Sequence, residues 1–399
     1  MNNKKFYLYA SEVYAPSQIL KNHYILVDGD MIISIDSSPT SGIRVVDLTG
    51  FSIWPGLLDL HIHGREGADV MDATPDAINT ISNSLVKHGV VGFLATTVTA
   101  TWEQTLKAFE NIAYCYENQP SGARVLGGYN EGLFFTKDHK GAHDEKYFLP
   151  LNKDNIDALI RASAGSLKVV ALAPELESSA ECISYLAEHD IKPMIGHTNA
   201  DYRQTCDALN AGACGGVHVF NGMRGIHHRD PGCAGAVLLD RNAYVEVIAD
   251  GVHLHHGILD LIYRLKRAEK MGLISDCIVA GGMDDGQYKL GMLDVNVSNG
   301  IARTLSGSLA GSTLTLEKAV NNMTTLAGIP KLDAVNMASL QPATFLGIED
   351  SMGSITPGKR ACFAIMSREG DVEATIIDGR LVYSSDAISE CLKPLCNPN

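Results

Sequence analysis

The chain has no C-x-x-C pair, no long basic run, no low-complexity linker and no apolar stretch approaching the roughly 18 residues of a membrane span. Each absence removes a class of protein. The nine cysteines are odd in number and scattered. They read as reduced thiols such as Cys115, Cys182 and Cys206 rather than a disulfide framework, and the expected compartment is the cytoplasm. Met1-Asn-Asn-Lys-Lys-Phe leads into mixed polar residues instead of an apolar signal core, so no secretory leader is expected. With a net charge of −14 and no basic run, neither nucleic acid nor a membrane surface is an expected partner. A small anionic substrate would need a local cluster of cations. Neither G-x-G-x-x-G nor G-x-x-x-x-G-K followed by Ser or Thr occurs, so nucleotide binding lacks a motif.

What remains is 399 residues, 45% hydrophobic and 20% charged, enough for a large globular core. Both ends have β texture. Phe6-Tyr-Leu-Tyr, Tyr24-Ile-Leu-Val and Met31-Ile-Ile-Ser-Ile are strand-like, with a hairpin-type turn at Asp28-Gly29-Asp30. Ala361-Cys-Phe-Ala-Ile-Met and Ala374-Thr-Ile-Ile repeat the pattern, with a turn at Asp378-Gly379-Arg380. A small β-sandwich domain assembled from residues 1–52 and 355–399 is expected.

Between them, over 53–354, apolar runs alternate with helical stretches. The strand candidates are 52–60, 90–98, 124–129, 168–173, 192–196, 216–220, 244–249 and 272–275, and helices fit at 78–87 and 257–268. About eight β/α units in series suit a (β/α)8 barrel of the TIM type, an α/β fold.

Polar residues punctuate the ends of these runs. His61 and His63 follow the first strand, Glu131 the third, Glu175 the fourth and His197 the fifth; His218 lies on the sixth, Asp250 and His253 follow the seventh, and Asp276 the eighth. Barrel active sites gather at the C-terminal ends of strands, so these side chains should converge. A lone strand-end histidine is more often a hydrogen-bonded structural residue. His-x-His differs, because i and i+2 of an extended strand face the same side and both rings can reach one ion. Imidazoles and carboxylates in one mouth suit a divalent metal, zinc or iron. Asp276 reads either as a surface turn or as a proton shuttle. Arg229, in His227-His-Arg-Asp-Pro-Gly, together with His253 and His143, is directed at phosphate, against the plain reading of solvated loop residues.

The ordered motifs Pro55-Gly-Leu-Leu-Asp-Leu-His-Ile-His-Gly, Asn130-Glu-Gly, Lys140-Gly-Ala-His, Leu172-Ala-Pro-Glu, Gly196-His-Thr-Asn-Ala, His218-Val-Phe-Asn-Gly-Met, His228-Arg-Asp-Pro-Gly, Ala249-Asp-Gly-Val-His, Ile274-Ser-Asp and Leu309-Ala-Gly-Ser resemble the N-acetylglucosamine-6-phosphate deacetylases of the amidohydrolase superfamily. The resemblance implies Glu131, His197 and His218 as ligands of a principal metal and His61 and His63 as holders of a second ion, with Glu131 bridging. It implies Asp276 as the catalytic acid/base, with His143 assisting. Ala142, His143, Asn221, Gly222, Arg229, His253 and the Leu309-Ala310-Gly311 backbone are implied as contacts to a phosphorylated amino sugar, in a homodimer whose partner helps close the phosphate end. Three motifs depart from the family pattern, at Tyr129-Asn130-Glu131-Gly132-Leu133, at Asn221-Gly222-Met223 and at Ser275-Asp276-Cys277. The alternatives are an N-acetylgalactosamine-6-phosphate deacetylase, a hydantoinase-like cyclic-amide hydrolase and a non-catalytic sugar-phosphate sensor. Cyclic-amide hydrolases commonly bridge their metals with a lysine from the fourth strand, where this chain has Ala173-Pro174-Glu175.

Overall fold

The computed structural model describes residues 5–396. Eight parallel strands form one sheet in chain order: Leu57–Ile62, Val90–Thr97, Arg124–Asn130, Leu167–Leu172, Lys192–Ile195, Gly215–Gly216, Tyr244–Val247 and Met271–Leu273. The first and last meet beyond their ends, where Ile62 bridges Cys277 and the His63 N–H donates to the Cys277 carbonyl. The sheet thus closes into the expected barrel. All eight residues of Val90–Thr97 are buried, as a strand covered on both faces must be. Helices follow where caps allow them. Thr101 opens Trp102–Glu117 and Asp201 opens Tyr202–Ala211, each in a reciprocal capping box with a glutamine three residues on.

A small β domain built from both termini is present, but not as the expected sandwich: its seven strands hydrogen-bond edge to edge as one sheet instead of splitting into two stacked ones. Their spatial order is Arg380–Ser384, Val372–Ile377, Phe363–Met366, Arg44–Pro55, Lys5–Ala15, Gln18–Asp28 and Met31–Asp36. The chain's two ends meet where Phe363 pairs with Pro55 and Ile365 with Ile53. This sheet has a core of its own, including Leu8, Ile25, Leu48, Ile53, Phe363 and Ile376. It lies beneath the barrel, at the starts of the strands: Thr375 Oγ1 donates to the Val86 carbonyl just before the second barrel strand.

Three further expectations change. The run 52–60 is two strands, broken at Gly56, the first belonging to the lower sheet and the second to the barrel. The sixth strand stops at Gly216, so His218 stands beyond it in a turn rather than on the strand. Finally, an antiparallel three-stranded sheet, Gly286–Leu290, Leu293–Ser298 and Ile301–Thr304, is inserted after the eighth strand and was not anticipated. It packs Leu290, Val295, Val297 and Ala302 against Val98, Ala142 and Ile278.

Candidate metal centre

The C-terminal ends of the barrel strands frame a cavity of 300 Å³ lined by His63, Glu131, His143, His197, His218 and Asp276, among others. His61 lies directly beneath, fully buried. Glu131 is the hub. Its Oε1 is 2.9 Å from His218 Nε2 and 3.2 Å from His197 Nε2. Its Oε2 is 3.1 Å from His63 Nε2, 3.5 Å from His61 Nε2 and 3.7 Å from His143 Nε2. Asp276 Oδ1 completes the ring, 3.2 Å from His63 Nε2 and 3.6 Å from His61 Nε2.

Backbone geometry turns these side chains inward. His197, His218 and Asp276 all have positive φ, at 47°, 24° and 49°. For residues with a Cβ this left-handed region costs on the order of 1–3 kcal/mol each, and such strain concentrates at functional sites. Neighbouring segments hold it in place. The Asp276 N–H donates to the His61 carbonyl, and the Ser312 N–H donates to the Asp276 carbonyl. Gly222 fits the same pattern: a Cβ there would lie 2.8 Å from His197 Nδ1. The departure at Asn221-Gly222-Met223 thus leaves room for the His197 ring. At Gly311, whose φ is 59°, a Cβ would press on Ile278 at 2.5 Å.

Orientation continues outward from the rings. His61 Nδ1 is 3.1 Å from Glu246 Oε2, and the Tyr129 hydroxyl donates to the same oxygen at 3.5 Å. The Tyr129 ring also packs on His61, with centroids 4.7 Å apart. Glu246 is completely buried and was missed from the sequence, although an acid inside the apolar Tyr244-Val-Glu-Val run was the available signal. A carboxylate behind an imidazole fixes its tautomer and aims the other nitrogen. Here that nitrogen, His61 Nε2, is buried with no hydrogen-bond partner. The Tyr129 departure therefore belongs with Glu246 and His61 as one buried group.

The electrostatics follow from packing imidazoles against carboxylates. Burial alone would lower the His63 imidazole, but its hydrogen bonds to Asp276 and Glu131 outweigh burial and lift it to about 9. His61 goes the same way: burial opposes the charged ring, yet Glu131 and Glu246 raise it well above its ordinary value. Glu131 is driven well below the usual carboxylate range, the surrounding imidazoles overcoming its burial. Without a cation, protons are drawn to this cluster; a metal competes for the same lone pairs. Among the described residues, two groups have ligand atoms close enough to share an ion, His61 with His63 and Asp276, and Glu131 with His143 and His197. Donor type, burial and the orphaned His61 nitrogen all fit a divalent cation.

His143 differs. Burial, with His197 beside it, lowers its ring well below the ordinary range. Thr99 Oγ1 accepts from the Leu133 N–H and stands 2.7 Å from His143 Nδ1. The threonine hydroxyl is free to donate to Nδ1, which leaves Nε2 as the N–H facing the cavity.

Ala142, Asn221, Gly222, His253, Leu309 and Gly311 line the cavity, and Ala310 is buried beside it within the core under the inserted sheet. His253 Nδ1 is held 2.7 Å from Asp250 Oδ2. Two residues expected at the mouth stand apart. Glu175 turns away from the rings, accepting from Thr136 Oγ1 and the Asn199 N–H at 2.7 Å each and from the Thr198 hydroxyl. Arg229 is exposed on a loop outside the cavity lining, its Nη1 2.8 Å from His228 Nε2. Among the described residues no lysine lines the cavity, and the fourth strand's Lys168 lies away from it, donating to the Gly165 carbonyl and resting over the Tyr116 ring.

A closed barrel with a histidine-carboxylate cluster at its mouth is the design of one large hydrolase group. The model of the amidohydrolase family matches residues 52–382, and the chain belongs to that family. More particularly, the chain is 42% identical to the N-acetylglucosamine-6-phosphate deacetylase of Vibrio furnissii over 377 residues, covering 92% of this chain and 94% of the relative. It is 40% identical over 362 residues to the N-acetylgalactosamine-6-phosphate deacetylase of Escherichia coli O157:H7, covering 91% and 95%. Among solved structures, a mutant N-acetyl-D-glucosamine-6-phosphate deacetylase of Mycobacterium smegmatis in complex with N-acetyl-D-glucosamine-6-phosphate superposes with a TM-score of 0.91 at 29% identity, over 96% of this chain and 100% of the other.

Proposed function

We propose that the chain removes the acetyl group from N-acetylglucosamine 6-phosphate, releasing glucosamine 6-phosphate and acetate in amino-sugar breakdown. The observation that carries the reading is the ring of Glu131, His61, His63, His197, His218 and Asp276 at the mouth of a family barrel with such relatives. Glu131, His197 and His218 would hold a principal cation, and His61 and His63 a second; zinc and iron suit these donors. A cation there supplies a Lewis acid and brings the pKa of water from about 15.7 towards about 7.

The chain's own groups do the rest. Asp276 takes the proton of the attacking water and returns it to the departing amine. The His143 Nε2–H donates to the acetyl oxygen as charge grows there. Asn221, Gly222 and the Leu309–Gly311 backbone position the sugar, and His253 faces its phosphate. Arg229 lies outside its own chain's cavity, which suits a homodimer in which each copy lends its arginine to the other. Binding energy from the distant phosphate then orients the amide. In this reading the barrel forms the hydrolase unit and the strands from both termini form the sheet unit, with the expected boundary at 52/53 moved to Gly56 because Ile53 and Pro55 pair with Ile365 and Phe363, and the enzyme works in the cytoplasm.

The second reading is the galactosamine epimer, favoured by the near-equal identity to the galactosamine-type relative. Acetate release from a panel of N-acetylhexosamine 6-phosphates, with metal content measured on the same sample, tests both. The glucosamine substrate should give the highest kcat/KM on metal-containing protein. A clear preference for the galactosamine epimer selects the second reading, and no acetate from any member overturns both.

A further inference from the structure

On the opposite side of the molecule, the lower sheet and the barrel floor border an open cleft of 920 Å³. Its charged lining is Arg44, Arg124, Arg360 and Arg380 against Asp30 and Asp378, an excess of two positive charges in a chain whose net charge is −14. The arginines come from four places in the fold: the start of Arg44–Pro55, the start of the third barrel strand, the segment before Phe363–Met366 and the start of Arg380–Ser384.

Asp378 accounts for only part of this charge. Its two oxygens accept from Arg124 Nη2 and Arg360 Nε at 2.6 Å each. Arg44 Nε and Arg124 Nε are buried with no hydrogen-bond partner, and among the described residues neither Arg44 nor Arg380 has an ion-pair partner. Buried guanidinium N–H groups without acceptors are costly, and an acceptor-rich anion removes that cost. Phe6, Leu381 and Leu395 supply an apolar wall, with the Arg44 guanidinium 6.0 Å from the centre of the Phe6 ring.

We infer that this cleft is a binding site for a phosphate monoester, its phosphate among the arginines and its organic part against Phe6 and Leu381. The site is separate from the catalytic mouth: Arg124 begins the strand whose far end leads to Glu131, a strand length of roughly 20 Å away. By tying Arg44 and Arg380 of the sheet to Arg124 of the barrel, the bound ester holds the two units together.

The test is hydrogen–deuterium exchange on the full-length, metal-loaded protein with phenyl phosphate or inorganic phosphate, in the native sequence and in the double variant Arg44→Gln/Arg380→Gln. Both substitutions spare the Asp378 clamp, and acetate release at the wild-type rate reports that the variant is folded. The expected result is slowed exchange at 119–124 and 377–382 with phenyl phosphate, absent from the double variant, whose affinity at this site falls by about tenfold or more. Weaker protection by inorganic phosphate supports the organic wall, and equal protection supports phosphate recognition while removing the wall from the proposal. Unchanged exchange in the native protein, or protection that survives in the double variant, overturns it.

Discussion

Asp276 reaches His63 and His61 from a left-handed backbone position at the end of the eighth strand. Asp276→Asn keeps the shape and removes the proton acceptor. Turnover should fall by roughly 10²–10⁴-fold while metal content and melting temperature stay near wild type; near-normal acetate release would remove Asp276 from the mechanism. Glu246 acts one step back, through His61. Glu246→Gln should weaken occupancy of the His61–His63 side by about tenfold, within the usual range for a group that orients a ligand. Titrating metal into the variant should restore kcat, and a kcat deficit untouched by excess metal would mean the residue serves packing alone. Much of the site was legible because its chemistry lies in strand-end motifs. Glu246 was not, since nothing in a single sequence tells which face of a buried strand carries an acid. The inward turns of His197 and His218 were hidden too: left-handed backbone in a residue with a Cβ is imposed by its surroundings, here the Gly222 gap and the close of the sixth strand.

At the scale of elements, the eight barrel strands were readable because buried parallel strands are continuous apolar runs. Residues 52–60 form such a run too, yet it crosses from one unit to the other at Gly56; hydrophobicity reports burial, not which core does the burying. The inserted sheet escaped notice because Gly286–Thr304 alternates exposed and buried positions over a small core, so each strand is weakly apolar. Its role is to carry the roof. The Ala310 N–H donates to the Ala302 carbonyl, which sets the Leu309–Gly311 segment over the cavity, where Leu290 also lies. Val297, 3% exposed, is central to that packing. Val297→Asp should loosen the insert while the barrel stays folded, because small satellite cores open independently of the main one. KM should rise by about tenfold with a smaller change in kcat. An unchanged KM with faster exchange in the insert would show that the roof makes no contribution to substrate binding.

For the whole molecule, Asp378 clamps barrel to sheet through Arg124 and Arg360. Burial opposes its charge, but the two guanidinium groups hold its carboxyl below the ordinary range. A carboxyl depressed in the folded state stabilises the fold above its unfolded pKa of about 3.9, and that contribution is lost as pH falls through the folded value. Asp378→Asn should therefore cost about 1–3 kcal/mol at neutral pH, and the gap from wild type should close as the pH falls below about 4. A gap of the same size at pH 3 and pH 7 in urea unfolding would show that packing, not charge, is what the substitution removes. The sheet that Asp378 helps seat has a consequence in time. Its pairing of Phe363 with Pro55 joins residues 308 positions apart (363 minus 55). At about 5–20 residues per second of synthesis, strand Arg44–Pro55 waits roughly 15–60 s for its neighbour to leave the ribosome. Through that interval the outer edge of Arg44–Pro55 stays bare, so a holding chaperone would have a defined stretch of backbone to guard and a defined moment to let go.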